Sequence, residues 1–522
     1  MKFASKKIHA VLGVAMSASL VLAACGSGSG SESSPAASAT TGASASAAPA
    51  SASPAQPKLE PYTIKMFVPG IPQKEQNLVN EEISKYLKDK INVTLDMQVI
   101  DWGSWADKMN LKYASNEVFD ITWTTSWDNW VGKINNKSII QVDDLMAKHA
   151  KEAMQIIDPK VLNGIKYNGK TYGMPTNKEF AANKGFLVRK DLVEKYKFDL
   201  STVKKPEDME PFFEVIKKNE PGMIPFLSGK SNGLPIALQE GSFISAGSSA
   251  TNLGAMDRNT PELKLIDVYT DSRYVDILKL ANKWYKAGYI NKDAATLSDF
   301  GGTYRSGKVF AFPETLKPGK DTEVSQASGL PWVQVEFTKP LITTNSTLGN
   351  MLSISRTSKD PERVMMFLNL LYTDKTLVNM IAFGIEGKHF VKKSDNTVDF
   401  PQGMTAQTSG YSLGAPYMFG NQFNDYLWAG EDPQKWEKFK KFNADADEAK
   451  GLGFIFNNEK VKNEISAYNN ALAEYFPGLI TGTLDPVEYL PKMVEKLKAA
   501  GMDKINAEVQ TQLNEWAQAN KK

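Results

Sequence analysis

Along residues 62 to 100, apolar side chains switch rhythm twice, and that switch sets the fold class. "YTIKMFV" (62–68) is rich in β-branched and aromatic residues and reads as a strand. Over 77–90, Leu78, Val79, Ile83, Tyr86 and Leu87 recur at helical spacing, so that stretch is predicted as a helix with one apolar face. "INVTLDMQVI" (91–100) returns to the strand pattern, which completes a βαβ unit and implies a parallel sheet. A helix at about 103–115 then leads to the strand "FDITWTT" (119–125), and Asn168-Gly169 between alternating runs predicts a tight two-residue turn. "FLVRKDLVEKYKF" reads as a strand running into a helix, and "PEDMEPFFEVIKKN" as a further helix. Asp271 can cap the amphipathic run that stops at Gly288, "GKVFAFPE" (307–314) reads as a buried strand, and Pro361 opens another helix at its first turn. The class is α/β.

Ahead of this pattern lie two segments of different character. Lys2, Lys6 and Lys7 precede a largely apolar run of thirteen residues from Ala10 to Leu22, an export signal over 1–24 that is short of the roughly 20 residues a membrane span needs. It ends in Leu22-Ala23-Ala24-Cys25, which is similar to the lipobox of bacterial lipoproteins. Cys25 is the sole cysteine of the 522 residues. With no disulfide partner in the chain, it is expected to carry lipid. Residues 26–57 are almost all Ser, Ala, Gly, Thr and Pro, with Glu32 their one charge, so the stretch 25–58 is expected to be a disordered tether reaching roughly 30 Å as a flexible coil. The body after it, too long for one core, suggests two lobes. The signal's three lysines aside, 58 Lys+Arg face 59 Asp+Glu, and no basic field exists to hold nucleic acid.

Several segments taken in order resemble the family 1 extracellular solute-binding proteins: the lipobox, "KMNLKYASNEVFDITWTT", "NGKTYGMPT" followed by "FLVRKDL", "WYKAGYIN", "KVFAFPE", "SRTSKDPERVMMFLNLLYTD" and "FGIEGKHF". "GLGFIFNNEKVKNEISAYNNALAEYFPGLITG" is similar to the C-terminal region of a long Gram-positive, oligosaccharide-type subgroup. The resemblance implies a type II periplasmic-binding-protein-like fold of two α/β lobes joined by two or three crossing strands, with ligand held in the cleft. Carried onto this chain, 59–175 and 346–383 would form the first lobe, and 176–345 and 384–522 the second. It implies a monomeric receptor, lipid-anchored on the extracellular face of the cell membrane, that passes an oligosaccharide to the permease subunits of an ATP-driven importer. No cofactor, metal or enzymatic activity is implied. A surface-anchored glycoside hydrolase and a non-transport sensor or adhesin stand as alternatives, since a pair of carboxylates at catalytic separation has no sequence signature.

The densest chemical signal is aromatic: Trp102, Trp105, Trp123, Trp127 and Trp130 are half of the chain's ten tryptophans. Indole faces stack on the C–H faces of sugars, while sugar hydroxyls need amide and carboxylate partners. Trp123, Thr125 and Trp127 lie at the C-terminal end of a predicted strand, where open α/β sheets bind ligand, and are expected contacts; core packing is the favoured reading for Trp102, Trp105 and Trp130. Thr176, Asn177, Lys178 and Glu179 fall where the chain should cross between lobes, as hydroxyl partners or as polar hinge residues, with Asn177 and Glu179 the candidates. Glu386 is a ligand contact or a loop anchor. Trp332, Asn421, Tyr417, Phe419 and Trp428 are second-lobe candidates.

Three apparent motifs fail on their context. Gly229-Lys230-Ser231-Asn232-Gly233 matches a nucleophile elbow, yet Pro235 and the turn-rich surroundings do not give strand-turn-helix. Gly222 and Gly229 are spaced too widely for a phosphate loop. Asn443-Ala444-Asp445-Ala446-Asp447 begins like a calcium loop, but Glu448 stands where glycine is needed and Phe454 where the bidentate glutamate belongs.

Overall fold

The computed structural model describes residues 59–248 and 253–521; the signal, Cys25 and the tether lie outside the described residues. Two large sheets organise the rest. The first has the order β2-β1-β3-β12-β4, with β1 Tyr62–Pro69, β2 Val93–Ile100, β3 Ile121–Thr124, β4 Met174–Pro175 and β12 Met351–Ile354. β1 pairs in parallel with β2 from Tyr62↔Val93 to Pro69↔Ile100, and with β3, as the βαβ reading required. β12 runs antiparallel to β3 and β4. The helix between β1 and β2 spans Gln76–Ile91 and buries Val79, Ile83, Leu87 and Ile91.

The second sheet, order β10-β5-β9-β6, is built from β5 Asn183–Arg189, β6 Ile224–Phe226, β9 Val309–Leu316 and β10 Trp332–Glu336. Its face is filled by an aromatic core of Phe186, Phe213, Phe226, Trp284 and Phe310. Beside it the hairpin β7 Phe243–Ser248 and β8 Leu253–Asp257 packs on three C-terminal helices, Lys462–Ile480, Pro486–Ala499 and Met502–Ala519. Asp271 caps its helix by accepting from Arg273 N, and Asn168 and Gly169 both adopt positive φ in the tight turn closed by Tyr167 and Lys170. No helix among the described residues is long and apolar enough to cross a membrane.

Three segments connect the two halves. They are the segments 176–182, 341–350 and 443–449: Ala182 bridges Leu341 in antiparallel sense, and β11 (Leu341–Ile342) pairs in parallel with Asp447–Glu448, so the three meet side by side at 182, 341–342 and 447–448. The last of these contains the run that began like a calcium loop, and its side chains are engaged elsewhere. Asn443 Oδ1 accepts from Phe180 N and Ala181 N, while Asp445 pairs with Lys441 and Asp447 with Arg258.

Residues after 384 depart from the expected course. Tyr411, Leu413, Ala415, Met418 and Phe419 are buried in the core of the first sheet, not with the second. Tyr411 Oη donates to Ile381 O, the His389 ring meets Glu75 at 2.7 Å, and Asn424 Nδ2 donates to Tyr372 O. Single large side chains pin an irregular segment here, which is why no periodicity announces it.

Candidate ligand-binding site

β2, β1 and β3 are adjacent parallel strands, so their C-terminal ends lie along one edge of the sheet. Just past each end stands an exposed apolar side chain: Ile71 at 71% exposure after β1, Trp102 at 42% after β2 and Trp127 at 67% after β3. Large apolar groups exposed at such an edge stand where open α/β sheets bind ligand, which makes them candidate contacts. Trp123, last but one in β3, lies beneath them at 1% exposure. Its ring makes edge contacts with Trp102 at 5.6 Å, Trp105 at 6.0 Å and Trp127 at 5.3 Å between centroids. The expected roles are thus redistributed. Trp127 presents its indole to solvent, Trp123, also an expected contact, lies buried beneath the platform, and Trp102, assigned to the core, is part of the exposed surface. Trp105 and Trp130 are buried.

The platform is held by polar bonds on its inner side. Trp105 Nε1 donates to Asp128 Oδ2 at 3.0 Å, and Lys133 Nζ reaches the same oxygen at 2.6 Å. Burial draws the Lys133 ammonium below its ordinary range, against the pull of Asp128. Trp123 Nε1 donates to Asn350 Oδ1 at 3.2 Å, and the Asn350 carbonyl accepts from Thr176 N at 3.1 Å. Asn350 thereby joins the aromatic platform to the first crossing segment.

On that segment Asn177 Nδ2 donates to Asn421 Oδ1 at 2.9 Å, with backbone bonds Asn177 N to Gly420 O and Gln422 N to Asn177 O. Gly420 makes this approach possible: it sits at φ 45°, and a Cβ there would lie 2.1 Å from Leu371 O. Glu179 is buried between Lys178 Nζ at 2.8 Å and Lys317 Nζ at 3.2 Å. Burial alone would raise its carboxyl; the two ammonium charges outweigh that and hold it down at about 2. Asp128 and Glu179 are thus both committed to lysines.

Around the crossing several buried polar atoms have no protein partner: Thr125 Oγ1, Thr176 Oγ1, Glu179 Oε2 and Gln422 Oε1. Buried polar groups are nearly always satisfied, so these atoms are places where water or a ligand can supply the missing bonds. Asp425 belongs to the same segment as Gln422; both of its carboxylate oxygens are orphaned, and burial holds its carboxyl well above the usual carboxylate range, only partly offset by Lys435. A raised folded-state pKa adds stability that is complete below the unfolded-state value and is lost as pH rises through the folded one. Asp425→Asn should therefore be more stable than wild type at pH 7, with the gap closing toward pH 4 in urea titrations. An equal gap at both pH values would contradict this.

Other candidates do not join the site. Trp332 is packed in a separate core against Phe312, centroids 4.9 Å apart, and donates Nε1 to Ser328 Oγ; its place at the start of β10 turns it into the sheet's own packing. Glu386 is exposed and pairs with Lys392 at 2.8 Å, an anchor of the loop closed by its bridge to Phe390. Phe419 is core, and Trp428 stacks on Phe400 and meets Phe383 edge-on. Ile71 was missed, because isoleucine carries no recognition chemistry; its position two residues past a strand end was the available signal.

Comparison with known proteins agrees with this architecture. The family described as bacterial extracellular solute-binding protein matches residues 82–385, and a domain family of unknown function, DUF3502, matches 450–518. A carbohydrate ABC transporter substrate-binding protein of Streptococcus pneumoniae is 30% identical over 480 residues, 88% of this chain and 91% of that protein. The crystal structure of the N-glycan transport solute binding protein NgtS of the same organism superposes with TM-score 0.79 at 30% identity, covering 89% of this chain and all of that one. Its complexes with Man1GlcNAc and Man5GlcNAc give TM-scores of 0.71 and 0.67, at 28% and 29% identity over 88% and 89% of this chain and all of theirs. With its two-lobed α/β fold and an aromatic platform at the strand ends, the chain belongs to the bacterial extracellular solute-binding proteins, which are binding receptors and not enzymes.

Proposed function

We propose that this chain is the receptor of an ATP-driven importer, and that it captures an oligosaccharide on the platform of Ile71, Trp102 and Trp127. The observation that carries this reading is the set of three exposed apolar side chains past three adjacent strand ends, with unpaired polar groups at the crossing beside them. Sugars need both, a flat apolar face and hydroxyl partners. The name of the pneumococcal relative and the mannose-bearing ligands of NgtS support a carbohydrate of that kind. The lobes are taken as 59–175 with 343–444, and 183–341 with 449–521, which closes them about the three crossing segments. Ligand binding shifts an open–closed equilibrium by its differential affinity. Lipid on Cys25 keeps a monomeric receptor at the outer face of the cell membrane, next to the permease subunits that take the sugar from it.

Thermal unfolding of residues 58–522 with mannose and N-acetylglucosamine oligosaccharides tests the reading. A saccharide at 100 times its Kd adds about 2.7 kcal/mol to stability. No shift with any saccharide sinks the carbohydrate assignment, and catalytic release of reducing ends sinks the receptor.

A further inference from the structure

Trp102 and Trp127 rest on the Trp123 ring, but Ile71 stands on the irregular link between β1 and the helix Gln76–Ile91. Being 71% exposed, its side chain buries too little apolar surface to fix the backbone beneath it. That backbone is tied instead to the irregular segment after 384. Gln73 Nε2 donates to Ile71 O, and Gln73 Oε1 accepts from Ser412 N at 2.7 Å, so one side-chain amide joins the platform residue to a position 339 residues away from its own. Two residues on, Glu75 N donates to Gly410 O at 2.9 Å.

The Glu75 side chain completes the link. His389, 1% exposed, meets Glu75 Oε2 through Nε2 at 2.7 Å, and Lys388 Nζ reaches Oε1 at 3.1 Å. These two contacts hold the Glu75 carboxyl below its ordinary range. The Ile385 amide donates to His389 Nδ1 at 3.0 Å. An amide N–H can only donate, so Nδ1 is the acceptor and the ring's proton sits on Nε2, facing Glu75. No side chain fits beside this contact: a Cβ on Gly384 would lie 2.4 Å from His389 Nδ1, and one on Gly410 would lie 2.4 Å from Glu75 Cδ. Glu75 is the N-cap of the helix, so the clamp fixes the end of the link that carries Ile71.

We infer that Gln73 and the Glu75–His389 pair are positioning residues, which set affinity without touching the ligand by holding Ile71 in place beside the two exposed tryptophans. This rests on the platform reading above and deepens it. The segment 385–412, which contributes no side chain to the platform, acquires a role in binding: it is the brace for the corner after β1.

Isothermal titration with Man5GlcNAc compares Ile71→Ala, Gln73→Ala and the double variant. Ile71→Ala should weaken binding about three- to tenfold, the worth of one or two methylene groups withdrawn from the sugar face, and Gln73→Ala should come close to it. The double variant should bind within about twofold of Ile71→Ala, because what Gln73 holds is already gone. Glu75→Gln, which keeps an acceptor for His389, should bind within about twofold of wild type, while Glu75→Ala should bind like Gln73→Ala. Losses at 71 and 73 that multiply, or full affinity in Gln73→Ala beside a weakened Ile71→Ala, overturn the positioning role and leave the platform standing. Full affinity in Ile71→Ala removes Ile71 from the platform itself. Should Gln73→Ala unfold at the titration temperature, Glu75→Ala against Glu75→Gln decides by the same comparison. If wild type does not bind Man5GlcNAc, amide hydrogen exchange decides without ligand: peptides covering 70–76 and 409–413 should exchange faster in Gln73→Ala and Glu75→Ala, and unchanged exchange overturns the clamp.

Discussion

Trp127→Ala is expected to lower affinity for oligosaccharide by about thirtyfold while the unfolding midpoint stays where it is. The indole is two-thirds exposed, so its removal opens no cavity in the core. What it takes away is a large, rigid face of the kind that supplies about 2 kcal/mol or more in recognition, and 1.4 kcal/mol is a factor of ten in Kd. Trp123→Ala should behave in the opposite way. That ring is buried under three others and bonded to Asn350, so truncation costs about 3–5 kcal/mol of stability, and any loss of binding follows from collapse of the platform. Trp123→Phe separates the two: it keeps most of the packing and loses the bond to Asn350. Paired titration calorimetry and urea unfolding of the three variants checks this. If Trp127→Ala destabilises as much as Trp123→Ala, the exposed ring is structural and the platform has been misplaced.

That contrast also shows what the residues alone could say. Trp127 was readable because strand 119–125 has a clear alternating pattern and ligands gather past strand ends. Trp102 satisfies the same rule after β2, but five tryptophans in a row of elements read equally well as core, and only packing tells which ring is left outside. Pairing β1 with β2 in register follows from local patterning. The fate of 384–428 does not, because it depends on single side chains such as Tyr411 and His389 finding partners far away in sequence. Glu179 was recognisable as a polar residue at a crossing. Its partner Lys317 lies 138 positions further on, and nothing local points to it.

That distant pairing makes Glu179 a position whose expected effect on stability matches that of Trp123. Glu179→Gln keeps the shape of the side chain and removes the charge, which leaves Lys178 without its carboxylate and Lys317 with Glu323 alone. Breaking a buried pair from one side costs about 3–5 kcal/mol, since the remaining charge stays desolvated. The pH dependence identifies the cause. The folded-state carboxyl is held at about 2, below the ordinary 4.5. A depressed folded pKa contributes stability that is complete above the unfolded-state value and is lost as pH falls through the folded one. The difference between wild type and Glu179→Gln in urea unfolding should therefore be constant from pH 7 to about 5.5 and shrink progressively from about pH 4.5 downward. A difference that persists undiminished at pH 3 would mean that the glutamine fails for steric reasons. One that is small at every pH would mean that Lys178 and Lys317 find water as easily as they found Glu179, and that the crossing is an open hinge with no buried charge at its centre.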